Sequence, residues 1–360
     1  MLNRKNLKNV IANLAGRFWS IAANLIVVPV YLNFLGLESY GLIALYTSII
    51  LAINVADAGL SPSFARDIAR ADKASDMGNA LKTLEIIYLA LFIIISAIVL
   101  SCSNEISKLL ISSSSYSSSQ NEIMIIMMVI AASAQLCTVV YRAGYMGLEK
   151  YVRVNTYTVG FSITRLFGPV VIFMWSTDLY YYFFYQLIIS LMYLLFIRNR
   201  YWMEIGNPRC FKFDFVYLAG IKKFAGGLFI VSIMSVITTQ LDKFMLSNML
   251  GVKSLSIYSI ASGVSMLLYS ICLPIVITFY PKLTKLVKNE AFDELSDLYL
   301  KVNYFVSVVS ISALLTLCYY AYDIILLWTN DAYIAESSSI LIPILCTGTF
   351  FCVFSFFLII

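Results

Sequence analysis

A chain of 360 residues that is 61% hydrophobic and only 12% charged, with a mean hydropathy of +0.85, is dissolved in lipid, because a water-soluble domain carries about 25% charged residues. Its net charge of +5 is distributed as membrane orientation distributes it, so no nucleic-acid partner is expected. Histidine is absent, which removes the commonest general base and the commonest metal ligand together.

Arg4, Lys5 and Lys8 open the chain. The apolar run behind them is too long for a signal peptide and has no A-x-A cleavage site, so it reads as the first of several spans. Membrane-length stretches are expected at about 10–33, 41–62, 82–101, 122–147, 154–176, 178–197, 224–249, 254–280, 302–322 and 338–360. The turn between the first two, NFLGLESYGLI at Asn33 to Ile43, is echoed by NMLGVKSLSIY at Asn248 to Tyr258, again between two apolar runs. A repeat about half a transporter apart predicts two similar bundles facing each other across a pathway. The loop from Ser101 to Gln120 carries ISSSSYSSSQ and is expected to be a solvated tether. The longest connection, Arg198 to Lys223, falls between the sixth and seventh spans, where a linker between two six-helix halves belongs.

The expected fold is therefore an all-α polytopic membrane protein with about ten spans and two pseudo-repeated lobes around a central cavity. A six-helix lobe is expected over 1–200, a linker over 201–223 and a second lobe over 224–360. The second lobe is expected to hold about four spans and to be incomplete, since FFLII stops inside an apolar run. With the N-terminus in the cytoplasm, the inner segments carry twenty Lys and Arg residues and the outer ones only Lys108 and Lys253. That bias sets the orientation.

Chemistry is scarce. No phosphate-cradling G-x-x-x-x-G-K-[ST] loop and no Asp-x-Asp pair occurs. The seven cysteines are scattered through apolar runs without a C-x-x-C pair and read as small hydrophobes. No catalytic residue, cofactor or metal site is expected, and the chain is not read as an enzyme. What remains are charges at membrane depth: Arg17, Asp57, Arg165, Asp242 and Lys243. Such charges are costly and usually face a cavity. Polar residues accompany them at helical spacing. The first span aligns Asn13, Arg17, Ser20 and Asn24; the second, Thr47, Asn54, Asp57 and Ser61; the fifth, Asn155, Thr158, Ser162 and Arg165; the seventh, Ser232, Ser235, Thr239 and Asp242. Four polar faces fit a hydrated cavity, although Ser and Thr also simply bond across helices. Arg17 lies within snorkelling reach of the inner headgroups, and Arg165 is either a cavity cation or half of a buried ion pair. Asp57 serves a helix end or an ion site. Asp242 and Lys243 point about 100° apart, so one of them lines the cavity. Interior prolines (Pro29, Pro169, Pro274, Pro343) bend the same helices.

LNFLGLESYGLIALYTSIILAINVADAGLSPSFARDIAR resembles the amino-terminal signature of the Wzx-type flippases of the MOP exporter superfamily. Leu35, Gly36, Glu38, Tyr40, Gly41, Asp57, Gly59, Leu60 and Arg66 match its LGxExYG turn, D-x-G-L end and Arg-bearing exit. GLEKYVRVN at Gly147 to Asn155 resembles the loop after the family's fourth span, and TTQLDKFMLSNMLGVKSLSIYSIA at Thr238 to Ala261 the start of its second half. The family usually has twelve or more spans. The resemblance implies movement of undecaprenyl-diphosphate-linked oligosaccharide repeats across the bacterial inner membrane, for O-antigen, capsule or exopolysaccharide synthesis. The partners would be that lipid-linked sugar, membrane lipids, and the polymerase and chain-length machinery. On this reading Arg17, Arg165 and Lys243 form the diphosphate path, and Asp57 and Asp242 serve ion coupling. The polar cavity face comprises Asn13, Ser20, Asn24, Asn54, Thr158, Ser162, Ser235 and Thr239. The rival readings are a multidrug or cation exporter of the same superfamily and a polysaccharide polymerase or ligase.

Overall fold

A glycine in the first turn and its counterpart in the repeat decide the architecture. The computed structural model describes the backbone of residues 4–71, 73–111 and 115–358. Side chains are described for the same residues apart from 4–18, 20, 21, 74, 222–225, 276, 277, 280, 281 and 354–358. Eleven α-helices and two 3-10 turns, with no strand, make up the described chain. Helix α1 (Arg4–Ile53) carries a break at Gly36, with φ 78° and ψ 174°. Helix α7 (Phe215–Lys288) carries the same break at Gly251, with φ 80° and ψ 170°. That extended, positive-φ conformation is open to glycine and nearly closed to any residue with a Cβ. The two LG turns of the repeated sequence thus have the same backbone.

Seven described stretches are long and apolar enough to cross a membrane, and an eighth is the pair Ala332–Ser339 and Leu341–Val353, bent by 47°. Two of the seven, Ala22–Asp57 and Gly226–Ile275, contain the broken turns. Each break falls between two of the expected spans, 10–33 and 41–62 in one and 224–249 and 254–280 in the other, so the described helices are roughly consistent with the expected ten.

The chain packs as two compact units, Met1–Leu255 and Ser256–Ile360. Phe244, Val252 and Leu255 of α7 join the core formed by α1 and α4, which ties α7 as far as Leu255 to the first unit. In the first unit, α4 (Ser118–Gly147) is the hub, packed on α3 (Ala74–Leu110), α6 (Leu179–Ile205), α2 (Leu60–Arg70) and α1. Its small residues permit that closeness. A Cβ at Gly144 would collide with the Tyr201 ring, and one at Gly147 with the Ala65 carbonyl. Helix α5 (Tyr151–Phe173) lies against α1. Helices α8 (Phe292–Tyr319) and α11 (Leu341–Leu358) build the second unit, where Val302, Val306, Cys272 and Val353 share a core. Between them run the short α9 (Ala321–Thr329) and α10 (Ala332–Ser339). None of the seven cysteines forms a disulfide among the described residues.

Two expectations change. The second polar stripe assumed one helix from Thr47 to Ser61, but the helix ends in a 3-10 turn at Asn54–Asp57. Ala58 and Gly59 then take positive φ before α2 begins. Ser61 therefore sits on a different helix from Thr47. The Ser-rich loop is also tied down where it is described, unlike a free tether. Ser115 donates from both its backbone N–H and its hydroxyl to Glu38, and the Tyr116 hydroxyl meets Ser39 Oγ at 2.9 Å. Ser117 and Gln120 close a capping box on α4.

Candidate transport path

In hydrocarbon a Tyr hydroxyl or a Gln amide finds no solvent partner, so each must be satisfied by another helix. The first unit concentrates such groups in one layer. Tyr31 on α1 donates to the Leu166 carbonyl of α5 at 2.7 Å, and Gln186 on α6 donates to the Arg165 carbonyl at 3.1 Å. Gln135, the single amide in the middle of α4, donates to Tyr46 at 2.9 Å and to Ser190 at 3.2 Å. Tyr31, Tyr46, Tyr182, Gln186 and Ser190 are all buried. Tyr31 also packs edge-on against Tyr182 at 5.8 Å. Four helices are thereby held together by polar bonds inside an apolar bundle.

Arg165 stands in this layer. It lies about 21 Å along α5 at 1.5 Å per residue, half-buried, and its charge reaches the hydroxyls of Tyr31, Tyr46 and Tyr182. No carboxylate pairs with it among the described residues. The ion-pair alternative for Arg165 therefore has no acid to supply it there. An unpaired guanidinium among hydroxyls and amides can receive an anion with two parallel N–H donors.

The other expected site residues are placed as follows. Arg17, Asn13 and Ser20 lie outside the described side chains. Asn24 is exposed, and Asn54, Thr158 and Ser162 are half-buried. Ser235 and Thr239 are exposed, and the Thr239 hydroxyl is spent on the Ser235 carbonyl of its own helix at 2.8 Å. Asp242 and Lys243 are half-buried, with Asp242 Oδ1 accepting from the Lys243 N–H at 2.8 Å. Asp57 ties a helix end: its carboxylate accepts from the Ser61 N–H at 3.2 Å, the Ser61 hydroxyl at 2.5 Å and the Tyr88 hydroxyl. The buried layer of Tyr31, Tyr46, Gln135, Tyr182, Gln186 and Ser190 was not read from the sequence. Its signal lay in Tyr182, Gln186 and Ser190 at four-residue spacing on α6.

A second polar cluster lies at the opposite end of α6. Glu85 on α3 accepts from Arg198, from Tyr141 at 2.9 Å and from the Trp202 indole at 3.2 Å. Glu204 receives both Lys150 and Arg153. The segment after α6 is pinned to α3, with the Lys212 N–H on Asn79 at 3.0 Å and the Asp214 N–H on Thr83 at 2.8 Å.

This arrangement of broken long helices around a polar layer is the fold of the MOP-superfamily transporters. A solved inward-facing MATE family multidrug-resistance transporter of that superfamily superposes with a TM-score of 0.78 at 15% identity, over 97% of this chain and 82% of its own. The MATE multidrug transporter DinF-BH gives 0.68 at 10% identity, over 96% and 79%. A MOP transporter from Pyrococcus furiosus gives 0.64 at 15% identity, over 94% and 77%. Within that fold, the family model described as polysaccharide biosynthesis protein matches residues 6–287. The chain belongs to that family. No curated protein matches it.

Proposed function

We propose that this chain is a flippase moving undecaprenyl-diphosphate-linked oligosaccharide repeats from the cytoplasmic to the outer leaflet of the bacterial inner membrane. The observation that carries the reading is Arg165, a cation at membrane depth with no carboxylate partner among the described residues. A diphosphate travelling through low dielectric needs such a cation, because an unpaired ion there is expensive. Arg17 and Lys243 extend the path toward the two faces, and Asp57 and Asp242 are the acids offered for ion coupling. The N-terminus is cytoplasmic on this reading, with the polymerase and chain-length machinery receiving the product. Family and fold favour a transporter over a polymerase or ligase.

The rival reading, a multidrug or cation exporter, draws on the described cargo of the MATE structures. Arg165 weighs against it, because a lone guanidinium repels a cationic drug. Deleting the gene separates the two. The flippase reading expects loss of surface polysaccharide, with lipid-linked repeats accumulating on the cytoplasmic leaflet. Unchanged polysaccharide with heightened sensitivity to cationic drugs would overturn it.

A further inference from the structure

A cavity of about 420 Å³ opens between α2 and the first turns of α3 and α7. The spans around it end at Asp57 or begin at Ser75 and Gly226, so it lies where hydrocarbon gives way to headgroups. One part of its lining is apolar (Ile68, Met77 and Ile221) and another is charged (Arg66, Asp67, Arg70 and Asp76). Arg66 is committed to Asp67, with Nε donating at 3.1 Å and Nη2 at 3.0 Å. Arg70 is exposed on the last turn of α2 and has no carboxylate partner among the described residues. Asp76, in the first turn of α3, accepts from the Ser75 hydroxyl at 3.1 Å and from no cation among the described residues. Among the described residues the cavity thus offers one guanidinium without a carboxylate partner and one carboxylate without a cation partner, on two different helices.

We propose that this cavity holds the headgroup of a zwitterionic aminophospholipid, its phosphate on Arg70 and its primary ammonium on Asp76. The apolar part of the lining would meet the glycerol and the first acyl methylenes. Charge complementarity selects the occupant. A purely anionic headgroup would face the carboxylates of Asp67 and Asp76, and a purely cationic one would face Arg70. A choline headgroup has the right charges but no N–H to donate, so Asp76 holds it only through space. The site is independent of the transport reading, since none of its residues belongs to the Arg165 layer.

Native mass spectrometry of the full chain tests this, after delipidation and titration with phosphatidylethanolamine, phosphatidylcholine or phosphatidylglycerol. Phosphatidylethanolamine should be retained roughly three- to fivefold better than either competitor, the range expected for a partly exposed charge pair. Asp76→Asn should erase the advantage over phosphatidylcholine and raise phosphatidylglycerol. Arg70→Gln should weaken all three lipids and Arg70→Lys should restore them in part, which shows that charge and not folding was lost. Equal retention of the three lipids, a preference for phosphatidylglycerol, or an unchanged order in Asp76→Asn would overturn the assignment.

Discussion

Arg165 and Arg198 lie on consecutive helices, and both sit among aromatic hydroxyls, yet among the described residues only Arg198 has an acid. Arg198 is locked on Glu85, which also receives Tyr141 and Trp202, so its charge is consumed in joining α3 to α6. Arg165 touches no carboxylate among the described residues, and its neighbours Gln186 and Tyr31 bind backbone carbonyls instead. The same residue type is therefore a clamp at one end of the bundle and an open cation in the other layer. The comparison teaches that a charge at membrane depth is assigned by what answers it, not by depth alone.

The contrast can be broken by substitution. Arg165→Ala should cut transport roughly 10- to 100-fold at normal protein abundance, the worth of a charged hydrogen bond at about 1.5–3 kcal/mol. Surface polysaccharide measured against membrane protein level checks this. Glu85→Ala should do the reverse, costing about 3 kcal/mol of stability, the low end for a broken buried pair because Arg198 keeps some exposure. Thermal unfolding in detergent should show the loss, while transport per folded molecule stays unchanged.

Smaller effects sharpen the framework that holds the two arginines. Gly251→Ala should cost about 1–3 kcal/mol through its positive φ. Gly36→Ala should fall in the same range, because a Cβ there meets no atom within 4 Å and only the backbone objects. A much larger loss at one glycine than at the other would show that the two turns are not equivalent. Tyr31→Phe removes the bond to the Leu166 carbonyl and the hydroxyl's contact with Tyr182, and should cost about 1 kcal/mol.

The broken turns were legible because Leu35-Gly36 and Leu250-Gly251 stand between membrane-length runs, where a glycine marks a reversal of the chain. The helix end after Asp57 was less so. Thr47, Asn54, Asp57 and Ser61 keep helical spacing in the sequence, and the 3-10 turn at Asn54–Asp57 with the positive φ of Ala58 and Gly59 separates Ser61 from them. Arg165 was visible as a charge in an apolar run. Its lack of an acid was not, since pairing depends on which helices meet, and Glu85 could have been assigned to either arginine on sequence alone. The aromatic and amide residues of the layer, scattered over α1, α4 and α6, look like ordinary core until α4 brings them together.

The account rests on Arg165 being open to a diphosphate. Its most direct test is the flipping rate of a polyprenyl-diphosphate-linked oligosaccharide in proteoliposomes, measured for the wild type, Arg165→Lys and Arg165→Ala at equal reconstitution. The account predicts full, partial and near-background rates in that order, because Lys keeps the charge and loses the two-pronged donor. An Arg165→Ala rate equal to the wild type would contradict it.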